Sequence, residues 1–138
     1  MKTILGFDYG TRWIGVAAGQ TLTGTATALQ PLMAKDGVPR WEEIEGLLQE
    51  WKPQLVIVGL PLNMDGTESE LSQRARKFGN RIHGRFGVDI GFWDERLSSF
   101  EAKGDIIEQR HSKQFKQMKV DSLSARLILE SWMRSQPE

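Results

Sequence analysis

An α/β fold is expected, with a mixed five-stranded sheet: a three-strand antiparallel meander plus two parallel strands, with helices on both faces. Two observations predict it. Short apolar runs joined by short connections fill the first thirty residues, which favours a meander. After Pro39 the apolar spacing becomes helical and then alternates with short strand-like runs, the order that builds parallel pairs.

Thr3–Tyr9 is the first strand, apolar and ending in a carboxylate. A turn at Gly10-Thr11-Arg12 leads to the second, Trp13–Gly19, and Gly24–Gln30 is a weaker third. Trp41, Ile44, Leu47, Leu48 and Trp51 then share a helical stripe, with acids on the other face and Pro53 at the end. Leu55–Gly59 is a continuous apolar run, as for a strand covered on both sides. A polar loop with an Asp65-Gly66 turn follows. Leu71, Ala75, Phe78, Ile82 and Phe86 mark a second helix that Gly87 closes. Val88–Trp93 is the fifth strand. Ser98 or Ser99 caps an expected third helix carrying Phe100, Ala102, Ile106 and Ile107. Arg110–Lys119, polar and basic, is expected as a flexible loop, and a last helix spans about Val120–Met133.

The 138 residues suit a single domain over 1–138. There are no cysteines, which excludes disulfides, thiolate zinc sites and thiol nucleophiles, and the 2 histidines leave little for a histidine-built zinc site. Lys+Arg and Asp+Glu are 18 each, so any nucleic-acid role must come from local patches. Asp8 arrives too early for a signal peptide, and no apolar run approaches the ~20 residues of a membrane span. A cytoplasmic protein without membrane partners is expected.

Three acids fall at element ends: Asp8 closes the first strand, Glu95 follows the fifth, and Asp121 opens the last helix. Carboxylates at ~4 Å repel by several kcal/mol at an intermediate dielectric. Such a cluster needs a cation, and oxygen-only ligands favour Mg²⁺ or Mn²⁺. Two such ions would clamp a phosphodiester. Each acid also has an ordinary reading: Asp8 as a turn residue, Glu95 as half of a surface ion pair, Asp121 as a first-turn acid favoured by the helix dipole. The three together are more informative than any one. The second helix holds Arg74, Arg76, Lys77, Arg81 and Arg85 with no acid between Leu71 and Gly87. That is either a solvated face or a phosphate contact. The Arg110–Lys119 segment has the same two readings and leads directly into Asp121.

Four blocks resemble the YqgF/RuvX family, whose members have an RNase H-like fold of the Holliday-junction-resolvase type: Phe7–Ala17 (FDYGTRWIGVA), Val58–Ser69 (VGLPLNMDGTES), Asp94–Ser99 (DERLSS) and Lys119–Trp132 (KVDSLSARLILESW). They cover nearly the whole chain, in order. The resemblance implies a catalytic, metal-binding trio of Asp8, Glu95 and Asp121, with Asp8 bridging two Mg²⁺ or Mn²⁺ ions. It also implies a nuclease that matures the 5′ end of precursor 16S rRNA on ribosomal precursor particles, or alternatively a resolvase acting on branched DNA. On that reading Arg12 and Arg96 hold the scissile phosphate or balance charge, and Lys113, Lys116 and Lys119 reach the nucleic-acid backbone. Arg126 departs from the expected pattern, standing where an apolar residue is expected. Two rival readings remain. One is an ATPase, because Asp8-Tyr9-Gly10-Thr11 also resembles the phosphate loop of sugar kinases, actin and heat-shock ATPases. The other is a non-catalytic RNA- or protein-binding module on the same fold.

Overall fold

A computed structural model describes residues 2–97 and 114–136, with only the backbone described over 114–121. The elements are β1 (Thr3–Asp8), β2 (Trp13–Gln20), β3 (Thr25–Ala28), β4 (Leu32–Lys35), β5 (Val38–Pro39), α1 (Trp41–Trp51), β6 (Leu55–Leu60), α2 (Glu70–Phe86), β7 (Ile90–Asp94) and α3 (Gln114–Ser135), with a 3-10 turn at Glu95–Leu97. All strands join one mixed sheet of order β5-β4-β2-β1-β6-β7, with β3 also on β2.

β1 is central. It runs antiparallel to β2, with Asp8 opposite Gly15, and parallel to β6, with Phe7 opposite Val58. β7 continues the parallel half, Leu60 opposite Asp94. The meander and the parallel pair are as expected, and among the described residues the sheet holds seven strands instead of five. The expected third strand is cut short because Pro31 has no N–H for the ladder. β3 therefore pairs with Ala17–Gln20, and β4 takes up the other end of the same edge, at Trp13 and Ile14. Between β4 and β5 both Asp36 (φ 48°) and Gly37 (φ 81°) are left-handed. That is the geometry of a two-residue type I′ hairpin turn.

Side chains of β1 alternate between the faces. Leu5, Phe7 and Tyr9 join Val58 and Ile44 of α1 and Ala75, Phe78 and Ile82 of α2 in one core. Ile4, with Ala17 and Ile57, packs on Ala125, Ile128 and Leu129 of α3 in the other. The α1 helix ends at a left-handed Lys52, whose N–H reaches the Leu48 carbonyl. The α2 helix begins in a capping box in which Ser72 stands at the usual Glu position: Ser72 N–H donates to Ser69 Oγ at 2.9 Å and Ser69 N–H to Ser72 Oγ at 2.8 Å.

The third helix lies close against the sheet because β1 offers it Gly6: a Cβ there would overlap the Leu129 side chain. Trp93 Nε1 also donates to Ser131 Oγ at 3.1 Å across this interface. The helix starts at Gln114, earlier than the charge pattern suggests. Gln, Lys and Met are good helix formers whatever their charge, so Lys116 and Lys119 sit on helical backbone instead of a flexible loop. Asp121 accordingly lies about two turns inside α3 and does not open it. Arg126 is accommodated by an i,i+4 ion pair with Glu130 at 3.7 Å. Lys113, and the helix expected between Phe100 and Ile107, lie outside the described residues.

Candidate active site

The carboxyl end of β1 positions the first acid. Asp8 is the last residue of a strand whose interior is buried, and it shares a face with Gly6 and Ile4, toward α3. Tyr9, one residue on, joins the opposite core, where its hydroxyl donates to the Gly37 carbonyl at 2.8 Å. The second acid, Glu95, stands in the turn that ends β7.

β6 separates the strands that carry these two acids. They meet because β6 has Gly59 at the crossing. A Cβ on Gly59 would stand 2.7 Å from Glu95 Oε1 and 2.8 Å from its Cγ, so the Glu95 side chain lies across bare backbone. Its carboxylate lies close enough to Asp8 to bear on its charge. Burial first, then the neighbouring Glu95 carboxylate, push the Asp8 carboxyl well above the usual carboxylate range. Two like charges held together in a partly desolvated site raise the proton affinity of the pair. The same arrangement suits a cation.

The third acid belongs to α3. Positions 121, 125, 128 and 132 recur at i, i+4, i+7 and i+11, so position 121 continues the stripe that packs Ala125 and Ile128 on the sheet. Its neighbour Ser122 is buried and accepts the Val16 N–H at 3.4 Å, and Val16 is opposite Phe7. The α3 backbone thus passes the end of β1 that carries Asp8. The Asp121 side chain lies outside the described residues, as do those of Lys116 and Lys119. Among the described residues no three His, Asp or Glu side chains form a metal-holding group.

The two expected phosphate-binding arginines differ in setting. Arg12 is exposed in the turn after β1, where its carbonyl accepts the Ala34 N–H at 2.8 Å. Arg96 grips its neighbour Asp94 through two nitrogens, Nη2 to Oδ2 at 2.7 Å and Nε to Oδ1 at 3.1 Å, and donates from Nη1 to the Met64 carbonyl at 3.0 Å. The guanidinium holds the Asp94 carboxyl below its ordinary range. Arg96 therefore ties the end of β7 to the Asn63–Ser69 loop. The ion pair in the Asp94-Glu95-Arg96 triplet joins the two outer residues, and Glu95 turns toward Asp8.

Two features of this geometry go beyond the sequence reading. Asp94 braces Arg96, and the only sequence sign of it is the alternation of a strand end. Gly59, read from sequence as the end of an apolar strand, clears the path of Glu95.

Comparison with known proteins places this geometry. The family model described as RuvX, Holliday junction resolvase, matches residues 2–135. A protein of Aeromonas salmonicida named "Putative pre-16S rRNA nuclease" is 57% identical over 135 residues, covering 98% of this chain and 96% of its own. One of Saccharophagus degradans with the same name is 57% identical over 136 residues, covering 99% and 96%. Among solved structures, RuvC of Thermus thermophilus in complex with a Holliday junction substrate superposes with a TM-score of 0.60 at 14% identity, covering 97% of this chain and 96% of that one. The yeast mitochondrial Holliday junction resolvase gives 0.54 at 11% identity, covering 95% and 77%. These two likenesses establish a shared RNase H-like fold. The match that runs from residue 2 to residue 135, together with relatives more than half identical over the same span, establishes that this chain belongs to the RuvX family.

Proposed function

We propose that this protein is a divalent-metal-dependent nuclease that trims the 5′ end of precursor 16S rRNA, working in the cytoplasm on ribosomal precursor particles. One RNase H-like domain, residues 1–138, carries the reaction. The observation that carries this reading is the Asp8–Glu95 contact across Gly59 at the end of the central strand. Two acids held together with an open edge, in a chain without cysteine, are a donor set for hard cations. Asp8, Glu95 and Asp121 would together hold a pair of Mg²⁺ or Mn²⁺ ions. Bound there, such ions activate water and stabilise the leaving oxygen.

The chain's own residues supply the rest. Asp8 and Glu95, side by side at the end of β1, form the carboxylate edge of the site. Arg12, exposed beside the end of β1, faces the phosphate. Arg96 fixes the Asn63–Ser69 loop against β7 and so sets the wall of the site. Lys113, Lys116 and Lys119, in the segment leading to Asp121, supply backbone contacts.

The test is cleavage of a ribosomal RNA precursor and a synthetic four-way DNA junction, side by side, in Mg²⁺ and in Mn²⁺. Asp8→Asn, Glu95→Gln and Asp121→Asn are assayed in parallel. The expected result is RNA cleavage that each variant abolishes. Cleavage of the junction alone would establish the resolvase alternative instead. Binding without cutting in either metal would establish a non-catalytic module.

A further inference from the structure

A hollow of about 310 Å³ opens on the face of the sheet opposite Asp8, between α2 and the β4–β5 hairpin. Its floor is Tyr9, Trp41 and Phe78, whose rings pack together: Tyr9 on Phe78 at 5.0 Å and Trp41 on Phe78 at 6.3 Å. Its wall is cationic. Arg74, Lys77 and Arg81 line it from α2, and their spacing of three and four residues puts them on one helix face. Arg85, one turn further, lies over the Trp41 ring at 4.3 Å. The stripe from Arg74 to Arg85 is roughly 16 Å long.

Charge decides what fits there. Among the described residues Asp36 is the one acid lining the hollow, and Arg74 engages it at 3.5 Å. Lys77 and Arg81 are exposed. A second copy of the chain docking by a two-fold through this stripe would set these cations against themselves. An anionic polymer is complementary to it. The hollow also begins at Tyr9, the residue after Asp8, so a strand leaving the active site over the rim of the sheet arrives here.

We propose that this stripe is a track for the sugar-phosphate backbone of the nucleic acid, gripping the part of the substrate that flanks the scissile bond. The ligand chemistry is a run of phosphodiesters, with Lys77 and Arg81 as the principal contacts. This rests on the nucleic-acid-binding part of the function proposed above, and not on cleavage.

The experiment measures binding in EDTA, so that cutting plays no part. The probes are a fluorescently labelled RNA hairpin with a single-stranded 5′ extension and a labelled four-way DNA junction, which separate the two sources of phosphodiester. Wild type is compared with Lys77→Gln/Arg81→Gln, and with Lys2→Gln/Arg134→Gln, which removes the same charge elsewhere. Melting curves confirm that both variants fold. The track predicts a tenfold or greater loss of affinity for Lys77→Gln/Arg81→Gln, and a plot of log affinity against log salt shallower by about 1.5. The control pair leaves both nearly unchanged. Equal affinity and slope for wild type and Lys77→Gln/Arg81→Gln overturns the proposal, as does an equal loss in the control pair or failure of wild type to bind either probe. Intact binding with the predicted slope, from a wild type that cuts nothing, sinks the nuclease reading and leaves the track standing.

Discussion

Glu95 reaches Asp8 only because Gly59 has no side chain: a Cβ there would stand 2.7 Å from Glu95 Oε1 and 2.6 Å from Ile128 Cδ1. Gly59→Ala is therefore expected to cost about 1–3 kcal/mol through overpacking. It should also lower cleavage by about 100-fold through displacement of the Glu95 carboxylate. Melting curves and single-turnover rates separate the two effects. A variant that cuts at the wild-type rate shows that Glu95 needs no such passage.

Asp8→Asn should abolish cleavage and yet raise stability when metal is withheld. The folded-state affinity of Asp8 for its proton is raised, so its contribution is complete below the unfolded carboxylate range and is lost as pH rises through the folded value. Above that, wild type carries two adjacent charges and the amide variant carries one. In EDTA at neutral pH the variant should melt roughly 3–6 °C higher, with the gap closing in acid. A lower melting temperature at neutral pH would contradict the repulsion.

Arg96→Lys keeps the charge and loses the two-pronged grip on Asp94. Amide protons of Asn63–Thr67 should exchange about tenfold faster, and cleavage should fall several-fold while the melting temperature changes little. Unchanged exchange in that loop would mean that Arg96 does not brace it.

Arg76 Nε donates to Glu68 Oε1 at 2.7 Å, and the guanidinium holds the Glu68 carboxyl below the ordinary range. That contribution is present above the unfolded glutamate value and is lost as pH falls through the folded one. Wild type should therefore be more stable than Glu68→Gln at about pH 6 and lose the difference by about pH 3. Both side chains are more than a third exposed, so the effect is small and salt-sensitive. A difference that persists at the acid end would rule out this pair as its source.

The central strand, the parallel pair and the two helices on the β1 side are legible because each follows from a period: continuous apolar runs for strands covered twice, three-and-four spacing for helices. Asp8 and Glu95 are legible as strand-end acids. Their meeting is expected from those positions and from the family resemblance, but the route Glu95 takes is not, because it depends on the missing side chain of a residue on a third strand. The β4–β5 hairpin carries its signal in Asp36-Gly37, a dipeptide that two left-handed residues in succession favour, but the flanking runs are too short and weak to mark strands. Around Gln114–Lys119 the run of cations masks residues that are individually good helix formers. The Asp94–Arg96 grip is invisible in one dimension, since neighbours in a charged triplet can pair in several ways and only the pleat decides which.

Asp8 and Tyr9 are consecutive, and the strand sends one to the α3 side and the other to the α2 side. Deleting or inserting a single residue in β1 would exchange them. The phenol would then occupy the hydrolytic side and the carboxylate would be driven into an aromatic floor with no partner. The length of this strand is locked, because one frame serves two surfaces at once.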